Sequence, residues 1–294
     1  MDPIKEWIIH EQEVVLYKNE ILGEGQFGIV YKAEWRGLIV AVKQFKNLDD
    51  HQKKLVENEF KVMTKLHHPN IIQLLGIISK PFSIVMEYIP NGSLTNYLKR
   101  HPWTSINRKV IFMMDIAKGL AYLHGRKPSF IIHRDIKPTN FLVTKDLQIK
   151  IADFGICKIL ESEFITKSHE NLQYIQDISA TSNVGTLYYM APELFSKQKR
   201  VGYSASVDIY SFGSVMYEIF EGHKIFHFCS TRERFIDYII VKRYKPRFEK
   251  SLLFVKRMII QCLNSNPLKR PTALEILKYL DHHRKKKWWL KFRF

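Results

Sequence analysis

Cysteine is scarce in this chain, and the three present, Cys157, Cys229 and Cys262, lie far apart. They exclude a disulfide framework and a four-cysteine zinc site. With no such framework the chain reads as cytosolic or nuclear. Long hydrophobic runs are missing: none reaches the roughly 18 residues that span a bilayer. The start, Met1-Asp2-Pro3-Ile4-Lys5-Glu6, has no apolar stretch behind a basic one, so no signal peptide is read there. Internal repeats and low-complexity tracts are also lacking, which excludes fibrous architectures. Acidic residues are in short supply, 29 against 46 basic ones, for a net charge of +17. Such a field attracts polyanions, whether nucleic acid, anionic lipid, acidic protein or nucleotide, without choosing among them.

What is present is ordinary for a folded protein. Of 294 residues, 46% are hydrophobic and 26% charged, which suits one large domain or two small ones. The first third reads as strands with one helix. Stretches 15–22, 29–35 and 38–45 are rich in β-branched and aromatic residues with glycine between them. Residues 52–66 carry apolar side chains at helical spacing and stop at His68-Pro69-Asn70. Two short apolar runs follow, 71–78 and 82–88. After Pro90-Asn91-Gly92-Ser93 the pattern turns helical, at 94–100, 106–124, 206–221, 231–240, 251–263 and 272–280. A small β-rich lobe joined to a larger helical one is expected, with a cleft between them suited to a small molecule.

Gly23-Glu24-Gly25-Gln26-Phe27-Gly28 fits G-x-G-x-x-G. A strand follows it rather than a helix, so the glycines sit in a strand–loop–strand hairpin that can lay its backbone over phosphates. Ala41-Val42-Lys43 puts a lysine inside an apolar strand, where it needs an anion, and Glu59 on the helix is the candidate. His133-Arg134-Asp135-Ile136-Lys137-Pro138-Thr139-Asn140 precedes Asp153-Phe154-Gly155. A hairpin of 141–143 with 149–151 brings Asp135, Lys137, Asn140 and Asp153 near one point. Asn140 and Asp153 are oxygen ligands suited to Mg²⁺. Asp135 is then left to accept a proton from a hydroxyl, and Lys137 to neutralise a transferring phosphoryl group.

With these motifs the sequence closely resembles a eukaryotic protein kinase, from about residue 17 to 280. The resemblance extends to Ala191-Pro192-Glu193, to Asp208-Ile209-Tyr210-Ser211-Phe212-Gly213, and to Arg270 in Asn266-Pro267-Leu268-Lys269-Arg270-Pro271. It implies an α+β bilobal protein kinase fold: a small β-rich N-lobe (17–87) with one regulatory helix and a larger, mainly helical C-lobe (88–280). A short extension (1–16) precedes the kinase domain and a basic aromatic tail (281–294) follows it. ATP and Mg²⁺ are the implied cofactors and protein the implied substrate. Asp135 resembles the catalytic base, with Lys137, Lys43 and Glu59 in the catalytic set and Asn140 and Asp153 as metal ligands. The nucleotide would meet Leu22, Gly23, Glu24, Gly25, Gln26, Phe27, Gly28, Ile29, Val30, Ala41, Lys43 and Leu142, the gatekeeper Met86, and backbone groups of Glu87 and Ile89. The alternative is a pseudokinase scaffold, for which the intact catalytic set gives no positive reason.

Lys137 and Gly185-Thr186-Leu187-Tyr188-Tyr189-Met190 resemble the serine/threonine type, with Thr186 bridging Asp135 and Lys137. Trp35-Arg36-Gly37 is similar to the tyrosine-kinase-like group, whereas Phe141 after Asn140 is unusual there. Arg134 and Lys158 match a basic pocket for phosphate on the activation segment, at Ser179, Thr181 or Ser182, implying an upstream activating kinase. Ser93 and Thr139 stand where arginine-directed families place acids, so acidic or neutral substrates are expected. The tail 284–294 mixes cations with Trp288, Trp289, Leu290, Phe292 and Phe294. Packing on the kinase body is the favoured reading, ahead of an anionic membrane or nucleic acid. His223, His227 and Cys229 have spacing that reaches a metal but no fourth ligand, and Cys157 is read as a small core residue. The expected location is cytoplasmic, with the nucleus as the other compartment.

Overall fold

The computed structural model describes residues 5–25, 28–45, 49–161, 187–195 and 204–286. Gln26, Phe27, Ser179, Thr181, Ser182 and Thr186 lie outside them, as does the tail beyond Lys286. The expected strands pair into a five-stranded antiparallel sheet of β1 (Val14–Gly25), β2 (Gly28–Trp35), β3 (Leu38–Phe45), β4 (Leu74–Ser79) and β5 (Phe82–Glu87). Their order is β1-β2-β3-β5-β4. Period two gives the sheet two faces. Ala33, Val40, Val42, Ile78 and Val85 form a small outer core. Val30, Ala41, Lys43 and Met86 share the other face through the pairs Val30↔Lys43 and Ala41↔Met86.

Helix α1 (Asp50–Met63) begins with a capping box. The Asp49 carboxylate accepts from the Gln52 N–H at 2.7 Å, and the Gln52 side chain accepts from the Asp49 N–H at 3.1 Å. It is shorter than the 52–66 expected. The last residues tighten into turns, with Lys65 N–H donating to the Val62 carbonyl and Leu66 N–H to that of Met63. The run 71–78 likewise becomes a strand only from Leu74. Ile71 instead bridges Ile151.

The extension before β1 is docked. The Ile9 N–H donates to the Ile77 carbonyl at 2.8 Å, and Trp7 meets Phe60 of α1 edge to face at 6.4 Å. Gly76 permits this approach: a Cβ there would stand 2.7 Å from the Trp7 carbonyl oxygen.

The second lobe is built on α2 (Leu94–Arg100), α3 (Ile106–His124) and α4 (Ser206–Glu221). Ser93 and Ser105 cap the first two through their hydroxyls, and Gly222 ends α4 with φ +86°. Both α3 and α4 are buried over most of their length, as expected of the stems of a helical core. Around them lie α5 (Arg232–Ile236), α6 (Leu253–Cys262) and α7 (Ala273–Lys286). The expected helix 231–240 breaks into α5 and a π-helical turn, Asp237–Val241. Helix α7 continues past 280 to Lys286. Two strand pairs complete the lobe: β6 (Ser129–Ile132) with β9 (Lys158–Glu161), and β7 (Phe141–Val143) with β8 (Ile149–Ile151). Among the described residues no helix is long and apolar enough to cross a membrane.

Candidate active site

The cleft face of the sheet meets the β7–β8 hairpin. Strands β1 and β2 close through the pair Gly25↔Gly28. The three glycines differ in what requires them. A Cβ on Gly28 would fall 2.1 Å from the Gln44 carbonyl oxygen, so close pairing of β2 with β3 demands glycine. A Cβ on Gly23 or Gly25 would meet nothing within 4 Å. Packing does not demand those two, and their effect is to keep the hairpin surface bare for an approaching ligand.

Lys43 sits mid-sheet and is held from two sides. Its Nζ donates to both carboxylate oxygens of Glu59 at 2.8 Å and to Asp153 Oδ1 at 3.2 Å. Glu59 is 2% exposed. Burial alone would lower the Lys43 pKa, but the carboxylates of Asp153 and Glu59 carry it above its ordinary value. Lys43 in turn holds the Asp153 carboxyl below the usual carboxylate range. The Phe154 N–H also bonds to Glu59, and the Phe154 ring is fully buried against His133 at 5.1 Å. The triplet Asp153-Phe154-Gly155 is therefore packed in, with its carboxylate facing the lysine.

Beside Lys43, Val30, Ala41 and Met86 make the apolar wall, while Leu22 is half exposed at the rim. Leu142 on β7 bridges Ser93 and closes the wall from the other lobe. The Glu87 carboxylate is taken by Lys150 Nζ at 2.7 Å and the Gln73 N–H at 2.8 Å, and the Glu87 N–H itself donates to the Gln73 carbonyl at 3.1 Å. The Ile89 carbonyl accepts from the Gly92 N–H at 3.2 Å and fixes the connection into α2.

Asp135 lies between β6 and β7. Lys137 Nζ is 2.7 Å from Asp135 Oδ2, and Asn140 Nδ2 donates to the same oxygen at 2.8 Å and to the Asp135 carbonyl at 2.9 Å. Among the described residues both side-chain contacts to this carboxylate fall on Oδ2 and none on Oδ1. Asn140 is buried and keeps its carbonyl oxygen as an acceptor. Arg134 and Asp153 both have φ +66°. Such strain, of order 1–3 kcal/mol each, is held in place by surrounding bonds and gathers at functional sites.

Residues 16–280 match the family model of the protein kinase domain. The chain belongs to the protein kinase family. It is 33% identical to serine/threonine-protein kinase VIK of Arabidopsis thaliana over 285 residues, covering 94% of this chain and 62% of the relative. It is 32% identical to serine/threonine-protein kinase 12 of the same plant over 299 residues, 97% of this chain and 61% of the relative. Human mitogen-activated protein kinase kinase kinase 7 is 30% identical over 269 residues, 90% of this chain and 41% of that protein. The chain thus spans about three fifths or less of the length of these curated relatives.

In this protein kinase domain Glu193 and Arg270 form a bidentate pair at 2.6 and 2.7 Å, with the Arg270 side chain fully buried. The pair ties the end of the activation segment to the loop before α7. Cys157 is buried, as read from sequence, and burial pushes its thiol well up. Among the described residues no cluster of His, Cys, Asp and Glu suits a metal ion, so His223, His227 and Cys229 form no such group.

Sequence reasoning noticed Asp208 within a motif but gave it no role. The structure does. Asp208 is fully buried and its carboxylate accepts the His133 N–H and the Arg134 N–H at 2.8 Å each. It also lies 2.9 Å from His124 Nε2. One carboxylate on α4 therefore fixes the backbone that aims Asp135. An aspartate at the start of an apolar helix is the signal that points to it, because a buried carboxylate needs several donors. Burial alone would raise its pKa, yet the bonds from His124 and the His133 N–H hold it below the ordinary value. A carboxyl with a lowered folded-state pKa contributes stability that is present above the unfolded value, near 3.9, and lost as pH falls through the folded one. Urea midpoints measured between pH 7 and pH 3 are expected to fall for the wild type. Asp208→Asn should start lower at pH 7 and fall less.

Proposed function

We propose that this chain is an active serine/threonine protein kinase, transferring the γ-phosphoryl group of Mg·ATP to protein hydroxyls. What supports this most is one arrangement: Lys43 bridges Glu59 and Asp153 while, among the described residues, the contacts to the Asp135 carboxylate fall on Oδ2 and none on Oδ1. Lys43 would hold the α- and β-phosphates. Asp135 would orient the substrate hydroxyl and take its proton as oxygen attacks phosphorus and ADP departs. Lys137 offsets negative charge on the phosphoryl group in flight. Asn140 and Asp153 supply the oxygen donors that suit Mg²⁺, which neutralises phosphate charge when bound. The serine/threonine assignment draws on Lys137 and on the names of the relatives. Radiolabelled product hydrolysed to its amino acids tests it, with phosphoserine and phosphothreonine expected and phosphotyrosine alone against it.

The proposal includes a switch in the activation segment. Lys158 opens β9, which precedes residues 162–186 in the sequence, and Arg134 Nε donates to the Ile156 carbonyl at 2.7 Å. Phosphate on Ser179, Thr181 or Ser182, placed by an upstream kinase, would form charge-assisted bonds there. The triple variant Ser179→Ala, Thr181→Ala, Ser182→Ala is expected to lose about tenfold in activity, the equivalent of one charge-assisted hydrogen bond. Full activity in that variant would end the switch. A cytoplasmic enzyme with access to the nucleus, acting on acidic or neutral proteins, fits the +17 charge.

A further inference from the structure

The turn between α2 and α3 lines an open groove of about 320 Å³, formed by Tyr97, Arg100, His101, Trp103, Ser105 and Arg108 among others. Trp103 is 94% exposed, a large apolar surface that none of the described residues covers. None of the lining residues is acidic. The two arginines are nonetheless fixed in place. Arg100 donates to the Asn96 and Asn91 carbonyls and Arg108 to the Leu147 carbonyl. Carbonyl oxygens orient a guanidinium without cancelling its charge. Among the described residues no carboxylate lies within ion-pairing distance of either arginine. Arg108 also stands in the first turn of a 19-residue helix that has no acidic residue there, where the helix dipole disfavours a cation.

We infer that this groove docks an acidic linear segment of a partner protein, which sets carboxylates between Arg100 and Arg108 and an apolar side chain on Trp103. Charge complementarity selects the occupant. Arginine and tryptophan are the residue types that dominate protein-binding hot spots, and arginine takes carboxylates bidentately. Two guanidinium groups are too few for nucleic acid, where several phosphates must be neutralised for appreciable binding. A concave groove with one tryptophan lacks the broad apolar face that lies in a membrane. The groove is also near the catalytic cleft. Arg100 binds the carbonyl of Asn91, two residues beyond Ile89, and α2 spans only about 10 Å. A docked segment would hold its protein beside the site.

The test uses the full chain and a short fluorescein-labelled peptide of Asp and Glu with one central Phe. Anisotropy is read without ATP, so failure here leaves the kinase reading untouched. Saturable binding is expected, weakened about tenfold or more by Trp103→Ala and by Arg108→Gln. Mg·ATP should raise the melting temperature of both variants as it does the wild type. Equal binding by wild type and both variants would overturn the proposal, because it would reflect net charge alone. So would loss of binding to the same extent for a peptide with Phe replaced by Ser in wild type and in Trp103→Ala. Competition by an anionic vesicle or an oligonucleotide that depends on Trp103 and outmatches the peptide would assign the groove to that ligand instead.

Discussion

Asp135→Asn should lower phosphoryl transfer by about 10²- to 10⁴-fold, the range for removing a general base, while Mg·ATP binding persists. The reason is local. Lys137 and Asn140 both contact Asp135 Oδ2, and an amide keeps a side chain of the same shape at that point. The proposed nucleotide contacts lie elsewhere, on Lys43, the glycine hairpin and the apolar wall. Proton acceptance, the orientation of the incoming hydroxyl and the ion pair with Lys137 are what is lost. The thermal shift by Mg·ATP should therefore match the wild type while turnover collapses. Loss of both together would indicate that Asp135 holds the fold rather than performs chemistry.

Lys43→Met should both inactivate and destabilise the protein. It strands Glu59, whose side chain is 3% exposed, without its cation and opposite Asp153. Breaking a buried pair by removing one partner costs about 3–5 kcal/mol. At about 2–4 °C per kcal/mol, for domains of somewhat smaller size, the melting temperature should drop by roughly 6–20 °C. Adding Glu59→Leu removes the stranded carboxylate and should restore much of that stability, since apolar replacement of a buried pair is often neutral. Transfer should stay lost, because no cation remains for the phosphates. Recovery of activity in the double variant would refute the assignment of Lys43.

These two experiments rest on residues that were legible in the sequence. Glu59, sixteen residues from Lys43, and Asp153, eighteen from Asp135, became neighbours on motif order alone, and the β7–β8 hairpin joined as the apolar runs implied. The kinase resemblance grouped Val30, Ala41 and Met86 at the nucleotide, and the strand register puts them on the face of Lys43. What escaped was carried by contacts between distant segments, which leave no periodic trace. The docking of Trp7 and Ile9 depends on the bare backbone of Gly76, and the pairing of β6 with β9 joins two four-residue strands too short to announce themselves. Asp208 looked like one polar residue in an apolar helix until its three donors could be seen. Glu221 is a similar case: it gathers the N–H groups of Glu249, Lys250 and Ser251 at 3.0 Å each and so anchors the loop before α6. Helix 231–240 failed for a different reason. Its apolar spacing is helical throughout, yet the backbone widens into a π turn at Asp237, a change that side-chain spacing does not encode.

The central claim is that this chain transfers phosphate rather than merely binding nucleotide. The most direct measurement follows radiolabel from γ-labelled Mg·ATP into the full chain and into an added protein acceptor, with and without a chelator of Mg²⁺. Incorporation on serine and threonine that the chelator abolishes is the predicted result. No incorporation, even with the activation segment phosphorylated by another kinase, while Mg·ATP still raises the melting temperature, would contradict it and leave a nucleotide-binding scaffold.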